Sequence, residues 1–199
     1  MANTLAPFGF NQYDGAAGAV PTYGLITAKV ASANSTKIFN GDPVKRLSTG
    51  YVAQWTAATA VSQLAGIFVS CKYFSVSQGN VVNSNFWPGA DANGDVTVYL
   101  TPCLLSPAPK FKVQVSGSTQ VAFADVGQNI DVALGTGNTA NGFSGATADF
   151  ATLGTTATLP FTVVGLFSDI APTGVNGTDN ASANNIILVQ ANVNGVTGI

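Results

Sequence analysis

The amino-acid sequence predicts an all-β protein, folded as a β-barrel or a jelly-roll-like sandwich with almost no helix. Short segments in which apolar and polar residues alternate are separated by turn residues, which is the pattern of strands with one buried face. Helix-forming residues are scarce: the chain has no Glu, and its 22 glycines interrupt any long helical window. Many short strands favour a barrel or a sandwich because both architectures limit exposed sheet edges.

Residues 1–20 show few strand signals and are predicted to form an extended N-terminal arm. Phe8 and Phe10 lie in this arm beside glycines. Exposed aromatic side chains often anchor protein interfaces. Both are therefore candidate interface residues, the alternative being that they pack on the chain's own core. Residues 21–199 then form the β domain, and a division into two β lobes near residues 101–110 stays open.

The first half of the β domain contains six segments with strand character. Residues 40–43 (Asn-Gly-Asp-Pro) predict a turn, because Gly and Pro favour the backbone angles that turns require. Residues 48–50 (Ser-Thr-Gly) separate two segments as in a hairpin, and residues 57–64 could form a single helical turn. The predicted strands cover residues 23–30, 36–39, 44–47, 51–55, 65–73 and 96–100.

The second half continues the alternation but adds long polar loops. Residues 134–150 and 169–185 are rich in Gly, Ser, Thr and Asn. Loops of this length without structure of their own are uncommon in a compact domain. We therefore expect them to be mobile or to be ordered by a neighbouring molecule. The predicted strands cover residues 111–115, 120–123, 130–133, 159–167 and 186–193.

Two further aromatic residues, Phe86 and Trp87, stand between polar and turn residues in the segment 85–89. A strand core is less expected in such surroundings, and exposed aromatic side chains tend to anchor interfaces. Phe86 and Trp87 are therefore the second pair of candidate interface residues. The alternative is that this loop folds onto its own core.

The residues needed for common catalytic sites are missing. The chain has no histidine, which removes His-based triads, His general bases and His metal ligands. Cys71 without a His partner is a poor nucleophile. Asp125 and Asp131 are close in sequence, but Asp commonly accepts backbone hydrogen bonds in turns, and this interpretation is favoured over an acid–base pair. We predict a protein that is not an enzyme and has no catalytic residue.

No metal or cofactor site is predicted either. The segment 91–95 (Asp-Ala-Asn-Gly-Asp) has oxygen ligands at alternate positions, as calcium loops do. An EF-hand needs Gly at position six and Glu at twelve, whereas Gly94 is at four and Pro102 at twelve. Asn-Gly is also a favoured hairpin turn. Cys71 and Cys103 are predicted to be buried free thiols rather than a disulfide, because nothing else indicates secretion.

Charge is unusually sparse, at 8% of the residues and a net value of −2. Because soluble monomers rely on charge to stay apart, this composition predicts a surface partly covered in an assembly. The basic residues are scattered, with Lys45-Arg46 the only adjacent pair, so nucleic-acid binding is not expected. No apolar run approaches the ~20 residues of a membrane-spanning helix, and no signal peptide is visible.

Several motifs occur in an order that resembles a known family. Residues 38–44 (Ile-Phe-Asn-Gly-Asp-Pro-Val), 50–52 (Gly-Tyr-Val) and 64–68 (Leu-Ala-Gly-Ile-Phe) are similar to the Gly-Asp-x-Val … Gly … Gly-Val/Ile rhythm of tailed-phage head decoration proteins. The second half is similar to phage structural proteins encoded beside the major capsid protein. The similar stretches there are residues 111–115, 125–129, 142–145 and 185–194.

The resemblance implies a structural virion protein that decorates and cements the outer surface of the capsid. Its implied partners are the major capsid protein and further copies of itself, commonly as a homotrimer. It implies synthesis in the host cytoplasm, and no catalytic residue, cofactor, nucleic acid or membrane is involved.

Two alternatives to this function stay open. The first is another virion component such as a tail-tube or fibre protein, which would also be rich in β structure. The second is a carbohydrate-binding β module in which Trp55, Phe86 and Trp87 would stack on sugar rings. An exposed, coplanar aromatic platform would favour this second alternative.

Overall fold

The computed structural model describes residues 3–15, 18–21, 24–57, 59–104, 108–167 and 179–192. The prediction of an all-β fold is confirmed: within these residues there are fourteen strands, and helical structure is limited to isolated single turns such as Val61–Gln63 and Phe123–Asp125. The strands are β1 (Asn11–Asp14), β2 (Ile26–Val30), β3 (Ile38–Phe39), β4 (Pro43–Arg46), β5 (Val52–Gln54), β6 (Leu64–Ser75), β7 (Asn80–Ser84), β8 (Phe86–Trp87), β9 (Val96–Thr101), β10 (Lys110–Ser116), β11 (Asn129–Ala133), β12 (Thr147–Gly154), β13 (Phe161–Leu166) and β14 (Ile186–Ala191).

Five strands from the second half close into a barrel, here called the C-terminal barrel. Their order is β10-β12-β11-β13-β14, and β14 pairs back with β10 to complete the ring. Every pairing is antiparallel except that of β10 with β12. Alternate residues point inward, so that Phe111, Val113 and Val115 of β10 are fully buried. Closure leaves these five strands without a long free edge.

The N-terminal residues lie on this barrel rather than extending from it. β1 pairs antiparallel with β10, with Asn11 opposite Lys112. Upstream, the Gln114 side chain accepts a hydrogen bond from the Ala6 N–H and donates one to the Thr4 carbonyl, both 2.8 Å long. The described part of the predicted arm is therefore held by its own chain. β1 can pair here because β12 pairs only with the C-terminal end of β10 and leaves the rest of that edge to β1.

The strands of the first half form an open sheet, here called the N-terminal sheet. Its order is β2-β9-β6-β4-β5, and β7 pairs with the outer half of the long strand β6. A two-stranded ribbon of β3 and β8 places Ile38 opposite Trp87 and contributes both to the core of this sheet. That core consists of Val30, Ile38, Val44, Val52, Ala65, Phe68, Cys71, Tyr73, Trp87, Val96, Val98 and Leu100.

The chain thus contains two β lobes, with the change from one sheet to the other falling between Thr101 and Lys110. β6 belongs to both cores. Ile67 packs in the core of the C-terminal barrel and Phe68 in the core of the N-terminal sheet. Residues 64–68 are accordingly buried without interruption, which explains why this strand begins as a continuous apolar run instead of an alternation.

A buried carboxylate joins the two lobes. Asp42 accepts hydrogen bonds from the backbone N–H of Phe39 at 2.9 Å, from the Gln54 amide at 2.8 Å and from the Ser144 hydroxyl. Ser144 comes from the loop before β12, so this contact spans the two halves of the chain. Beside it, the Ser144 N–H donates to the Asn40 carbonyl at 2.9 Å. Burial raises the pKa of Asp42 above its ordinary value of 3.8, although its three hydrogen bonds oppose that shift.

Close backbone packing completes this junction. Gly41 adopts φ +94°, a left-handed conformation that favours glycine. Its N–H donates to the Phe68 carbonyl at 2.8 Å, and its carbonyl accepts from the Phe10 N–H at 2.9 Å. A side-chain carbon on Gly9 would lie 2.9 Å from the Cα of Gly41. The N-terminal segment and the turn after β3 therefore touch through two glycines.

Most predicted strands are confirmed with small changes of boundary, and four were missed: β1, β7, β8 and β12. The predicted strand 120–123 is wrong, because Val121 donates its N–H to, and accepts with its carbonyl from, the Asn185 side chain. The prediction of a loop over residues 134–150 is wrong at the C-terminal end of that range, because β12 begins at Thr147. The predicted loop 169–185 lies mostly outside the described residues. Among the residues described, no helix has the length and apolar character to cross a membrane.

Replacing Asp42 with Ala should destabilise the protein by about 3 kcal/mol, because three donors, two of them buried, lose their shared acceptor. The free energy of unfolding measured in denaturant is the readout. Asp95→Ala is the matched control, because the Asp95 carboxylate accepts only an exposed hydrogen bond from Tyr51, and it should change stability little. Equal effects of the two substitutions would contradict the role assigned to the junction.

The same carboxyl group should impose a pH dependence on stability. Its raised pKa means that, between pH 3.8 and its pKa in the folded state, the folded chain holds the proton more tightly than the unfolded chain does. The stability advantage of the natural chain over Asp42→Ala should be greatest below pH 3.8 and shrink as pH rises through the folded pKa. Unfolding curves at a series of pH values test this, and an advantage that grows with pH would contradict it.

Candidate interaction surfaces

Two of the four predicted interface residues are core residues. The Phe10 ring is 2% exposed and stacks on Phe161 inside the C-terminal barrel, with ring centroids 4.7 Å apart. Trp87 is fully buried, meets Tyr73 edge-on at 5.1 Å and donates its indole N–H to the Asn34 carbonyl. Neither ring is available to a partner. The prediction is corrected here: β8 pairs with β3 and turns Trp87 inward, and Phe10 lies directly before β1, which pairs with β10.

The other two residues, Phe8 and Phe86, are half-buried. Phe86 stacks almost parallel on Phe39, with centroids 5.4 Å apart. The Lys112 ammonium lies over the Phe8 ring at 5.6 Å and over the Phe167 ring at 4.9 Å, within the range of a cation–π contact. Each ring therefore has a partner within its own chain and presents only part of its surface.

The aromatic platform of the carbohydrate-binding alternative is not formed by the residues proposed for it. Trp55 is fully buried and donates its indole N–H to the Asp131 carboxylate at 3.2 Å. Trp87 is fully buried in the other lobe. Only Phe86 of the three has exposed surface, so these residues offer no shared plane to a sugar ring.

The two thiols and Asp125 have the roles that the sequence predicts, whereas Asp131 is buried within β11. Cys71 and Cys103 are free and buried. Burial raises the pKa of Cys71 to about 12 and also raises that of Cys103, so both thiols are protonated and unreactive at neutral pH. Asp125 accepts hydrogen bonds from the Ala122 N–H and the Gln128 amide, in the turn-capping role that was expected.

The two carboxylates of the segment 91–95 accept hydrogen bonds from residues of the same chain. Asp91 accepts from the Ser75 hydroxyl at 2.6 Å and from the Ser77 N–H at 3.0 Å, and these hydrogen bonds lower the pKa of Asp91. Asp95 accepts from the Tyr51 hydroxyl at 2.8 Å. The two carboxylates thus serve different partners, and Gly94 adopts φ +91° in the predicted turn. Among the described residues there is no cluster of three or more acidic, Cys or His side chains.

An apolar surface at the end of the β6–β7 hairpin was not predicted. Phe74 and Val81 lie opposite each other in the register, and Val76 follows in the turn. These side chains are 44%, 56% and 64% exposed, respectively. We call Phe74, Val76 and Val81 the tip surface.

The tip surface is held by hydrogen bonds from a neighbouring loop. The Val76 N–H donates to the Asp91 carbonyl at 2.9 Å, and the Asn93 N–H donates to the Phe74 carbonyl at 3.0 Å. The Asp91 carboxylate binds Ser75 and Ser77 on either side of Val76. A backbone that is already ordered lowers the entropy lost when a surface binds a partner, so this surface is suited to docking.

A groove of about 370 Å³ lies where the two lobes meet, and we call it the inter-lobe groove. Its floor includes Ile67 and Phe68, one from each core. Leu25, which is 42% exposed, stands at its rim. The Gln12 side-chain oxygen is buried and has no hydrogen-bond partner among the described residues. The lining residues are Phe10, Asn11, Gln12, Leu25, Asn40, Ile67, Phe68, Val69 and Thr101.

The N-terminal sheet is open beside this groove. Ile26 is paired with Leu100 and shares its core-facing side of the sheet. Ile26 is nevertheless 37% exposed, whereas Val30 at the other end of the same strand is fully buried. An inward-facing apolar residue left uncovered marks a place where further apolar surface could pack.

No family model, no curated protein and no solved structure matches this chain. The surfaces described above therefore have to be interpreted from their own geometry and chemistry.

Neither surface was found by sequence analysis, for different reasons. The tip surface had a local signal, since the alternation of β6 continues through Phe74 to Val76 and is followed by Gln78-Gly79. The predicted strand ended at residue 73, whereas β6 continues to Ser75. The inter-lobe groove had no local signal, because its walls come from five separate segments of the chain.

Phe10→Ala should lower the free energy of unfolding by about 3–5 kcal/mol, the usual cost of emptying an aromatic site in a core. Phe123→Ala removes the same atoms from a side chain that is 78% exposed and should change stability little. Denaturant unfolding of both variants is the measurement. A small effect of Phe10→Ala would show that the ring does not pack in the barrel.

Proposed function

We propose that this protein is a structural component of a tailed-phage virion that decorates and cements the outside of the capsid by bridging capsid subunits. The observation that carries the proposal is that the segments with the family resemblance meet in one framework. Asn40 and Asp42, from the Gly-Asp-Pro motif, bond to Ser144 of the segment 142–145. The resembling motifs of the two halves therefore contact each other directly.

The remaining motifs support the same interpretation. Residues 38–44, 50–52 and 64–68 contribute to neighbouring strands, because β4 pairs with both β5 and β6. In the second half, residues 111–115 and 185–194 contribute to β10 and β14, which close the barrel. Motifs that follow one another along the chain are therefore also neighbours in the folded protein, as expected if they belong to one fold.

Physical considerations favour a cementing role for such a chain. Packaged DNA pushes outward on the shell, and a protein that bridges subunits adds buried area where the shell would part. Interfaces of similar area differ widely in strength according to their anchors. Repetition around the shell multiplies modest contacts through avidity. The low proportion of charged residues, 8%, limits the number of charges that docking would desolvate.

The proposal includes the partners and location that the resemblance implies. The protein is made in the host cytoplasm and binds the major capsid protein on the outer surface of the head as a homotrimer. It is a structural protein and not an enzyme, and its binding involves no nucleic acid or membrane. The exposed apolar tip surface is available for contacts with neighbouring molecules.

Binding to capsids tests the function. Purified protein should bind saturably to expanded heads of its own phage that lack it, and should raise the temperature at which those heads break. Unexpanded heads are the matched control and should bind little. Absence of binding to both empty and full expanded heads would overturn the proposal, and binding to isolated tails would assign the protein to the tail instead.

A truncation of residues 1–20 is not a clean test of attachment. It would remove β1 together with Phe10, which packs in the C-terminal barrel. We expect such a truncation to lower stability, so loss of binding would not separate folding from attachment. Point substitutions on exposed side chains are the appropriate variants.

A further inference from the structure

We propose that two copies of this chain pair antiparallel through the free edge of β7, with Val82 of one copy opposite the same residue of the other. The pairing joins the N-terminal sheets of the two copies into one continuous sheet. It goes beyond the proposed function and does not depend on it, since it requires no capsid. Because the contact has a twofold axis, in a homotrimer it would join copies of different trimers.

The direction of the backbone groups of β7 follows from the hydrogen bonds of β6. β7 pairs with β6 alone. The Phe74 carbonyl accepts from the Asn93 N–H at 3.0 Å, outside β7. Since the N–H and C=O of one strand residue point to the same side, Phe74 directs neither group at β7, and Phe74 and Val81 form a non-hydrogen-bonded pair. Val81 therefore directs its own N–H and C=O away from β6, to the free edge.

Asn83 presents the same groups two residues further along β7. It lies opposite Lys72 in the register, so the alternation of the ladder directs its N–H and C=O to the free edge as well. Among the described residues, no hydrogen bond outside the strand ladder reaches the backbone of Val81 or Asn83. Both residues are exposed, Val81 to 56%. The edge thus presents two donors and two acceptors that another strand can reach.

β7 lacks the features that keep most free edges from pairing. Natural edge strands carry charges, prolines or bulges, or are very short. Residues 80–84 (Asn-Val-Val-Asn-Ser) are uncharged, contain no proline and keep an unshifted register with β6. By contrast, β2 carries the exposed Lys29, β5 has three residues, and β1 has a register shift beside Asp14. Among the edges that the structure describes, β7 is therefore the one suited to pair with its own copy.

A twofold axis at Val82 uses every free group of this edge. In that register Val81 of each copy lies opposite Asn83 of the other, and each of these pairs exchanges two N–H···O=C bonds. The two Val82 side chains meet as a non-hydrogen-bonded pair, with Cβ atoms about 5 Å apart. No like charges face each other across the axis, because β7 has no charge. Lys72 on β6 is three strand spacings, about 14 Å, from its counterpart, which is beyond the screening length at physiological salt.

Cysteine cross-linking tests both the contact and its register. Val81→Cys and Asn83→Cys, mixed at high concentration and oxidised mildly, should give a mixed disulfide dimer, because opposite Cα atoms of a hydrogen-bonded pair lie about 5.5 Å apart. The native thiols Cys71 and Cys103 are buried and add little background. Val81→Cys mixed with Phe123→Cys is the matched control, since Phe123 is 78% exposed and lies between β10 and β11. Equal yields in the two mixtures, or a Val81→Cys homodimer as the main product, would overturn the proposal.

A proline at the free edge provides the second test. Asn83→Pro removes an N–H that points away from β6, so the β6–β7 ladder keeps its bonds while each copy loses a donor to the other. Self-association in sedimentation should weaken at least about tenfold. Asn83→Ala, which keeps the N–H, should associate as the natural chain does, and Val81→Lys should weaken association without a change in unfolding by denaturant. A natural chain that stays monomeric at its highest soluble concentration, or Asn83→Pro and Val81→Lys variants that associate normally, would refute the contact.

Discussion

The buried carboxylate of Asp42 is the interaction on which the arrangement of the two lobes depends. One side chain satisfies donors from β3, β5 and the loop that precedes β12. Since an unpaired buried carboxylate would be costly, the acceptor and its three donors must be assembled together. The junction therefore couples the N-terminal sheet to the C-terminal barrel, and it also defines the position of the inter-lobe groove beside Asn40.

Closure of the C-terminal barrel limits the kinds of contact that this lobe can make with a partner protein. In the C-terminal barrel the strands satisfy one another, and β1 takes up the remaining part of the β10 edge. Backbone hydrogen bonding to a partner strand is thereby limited in this lobe. Contacts made by this lobe therefore rely on side chains, whereas the N-terminal sheet is open and has β2 and β5 at its edges. The tip surface belongs to the N-terminal sheet; it is apolar and exposed, and its backbone is held by the loop that contains Asp91.

The aromatic residues show which features of the fold can be predicted from the sequence and which cannot. Phe10 was a candidate interface residue beside a glycine, and Trp87 was one in a segment of polar and turn residues, yet both are core residues. Their burial depends on pairing with distant strands, which a local pattern does not contain. The thiols were predicted correctly because the apolar segments around them already indicate burial. Phe74 and Val76 were missed because the partner strand β7 is partly polar and gave no clear alternation.

By itself, the sequence determined the all-β class, most strand positions, the turn at residues 40–43 and the buried thiols. These follow from alternation and turn chemistry, which act over a few neighbouring residues. Only the tertiary structure decided the closure of the barrel, the docking of the N-terminal segment, the Asp42 junction and the inter-lobe groove. Each of these joins residues far apart in the chain, and the choice among possible strand partners is made by the packing of the whole molecule and not by any one segment.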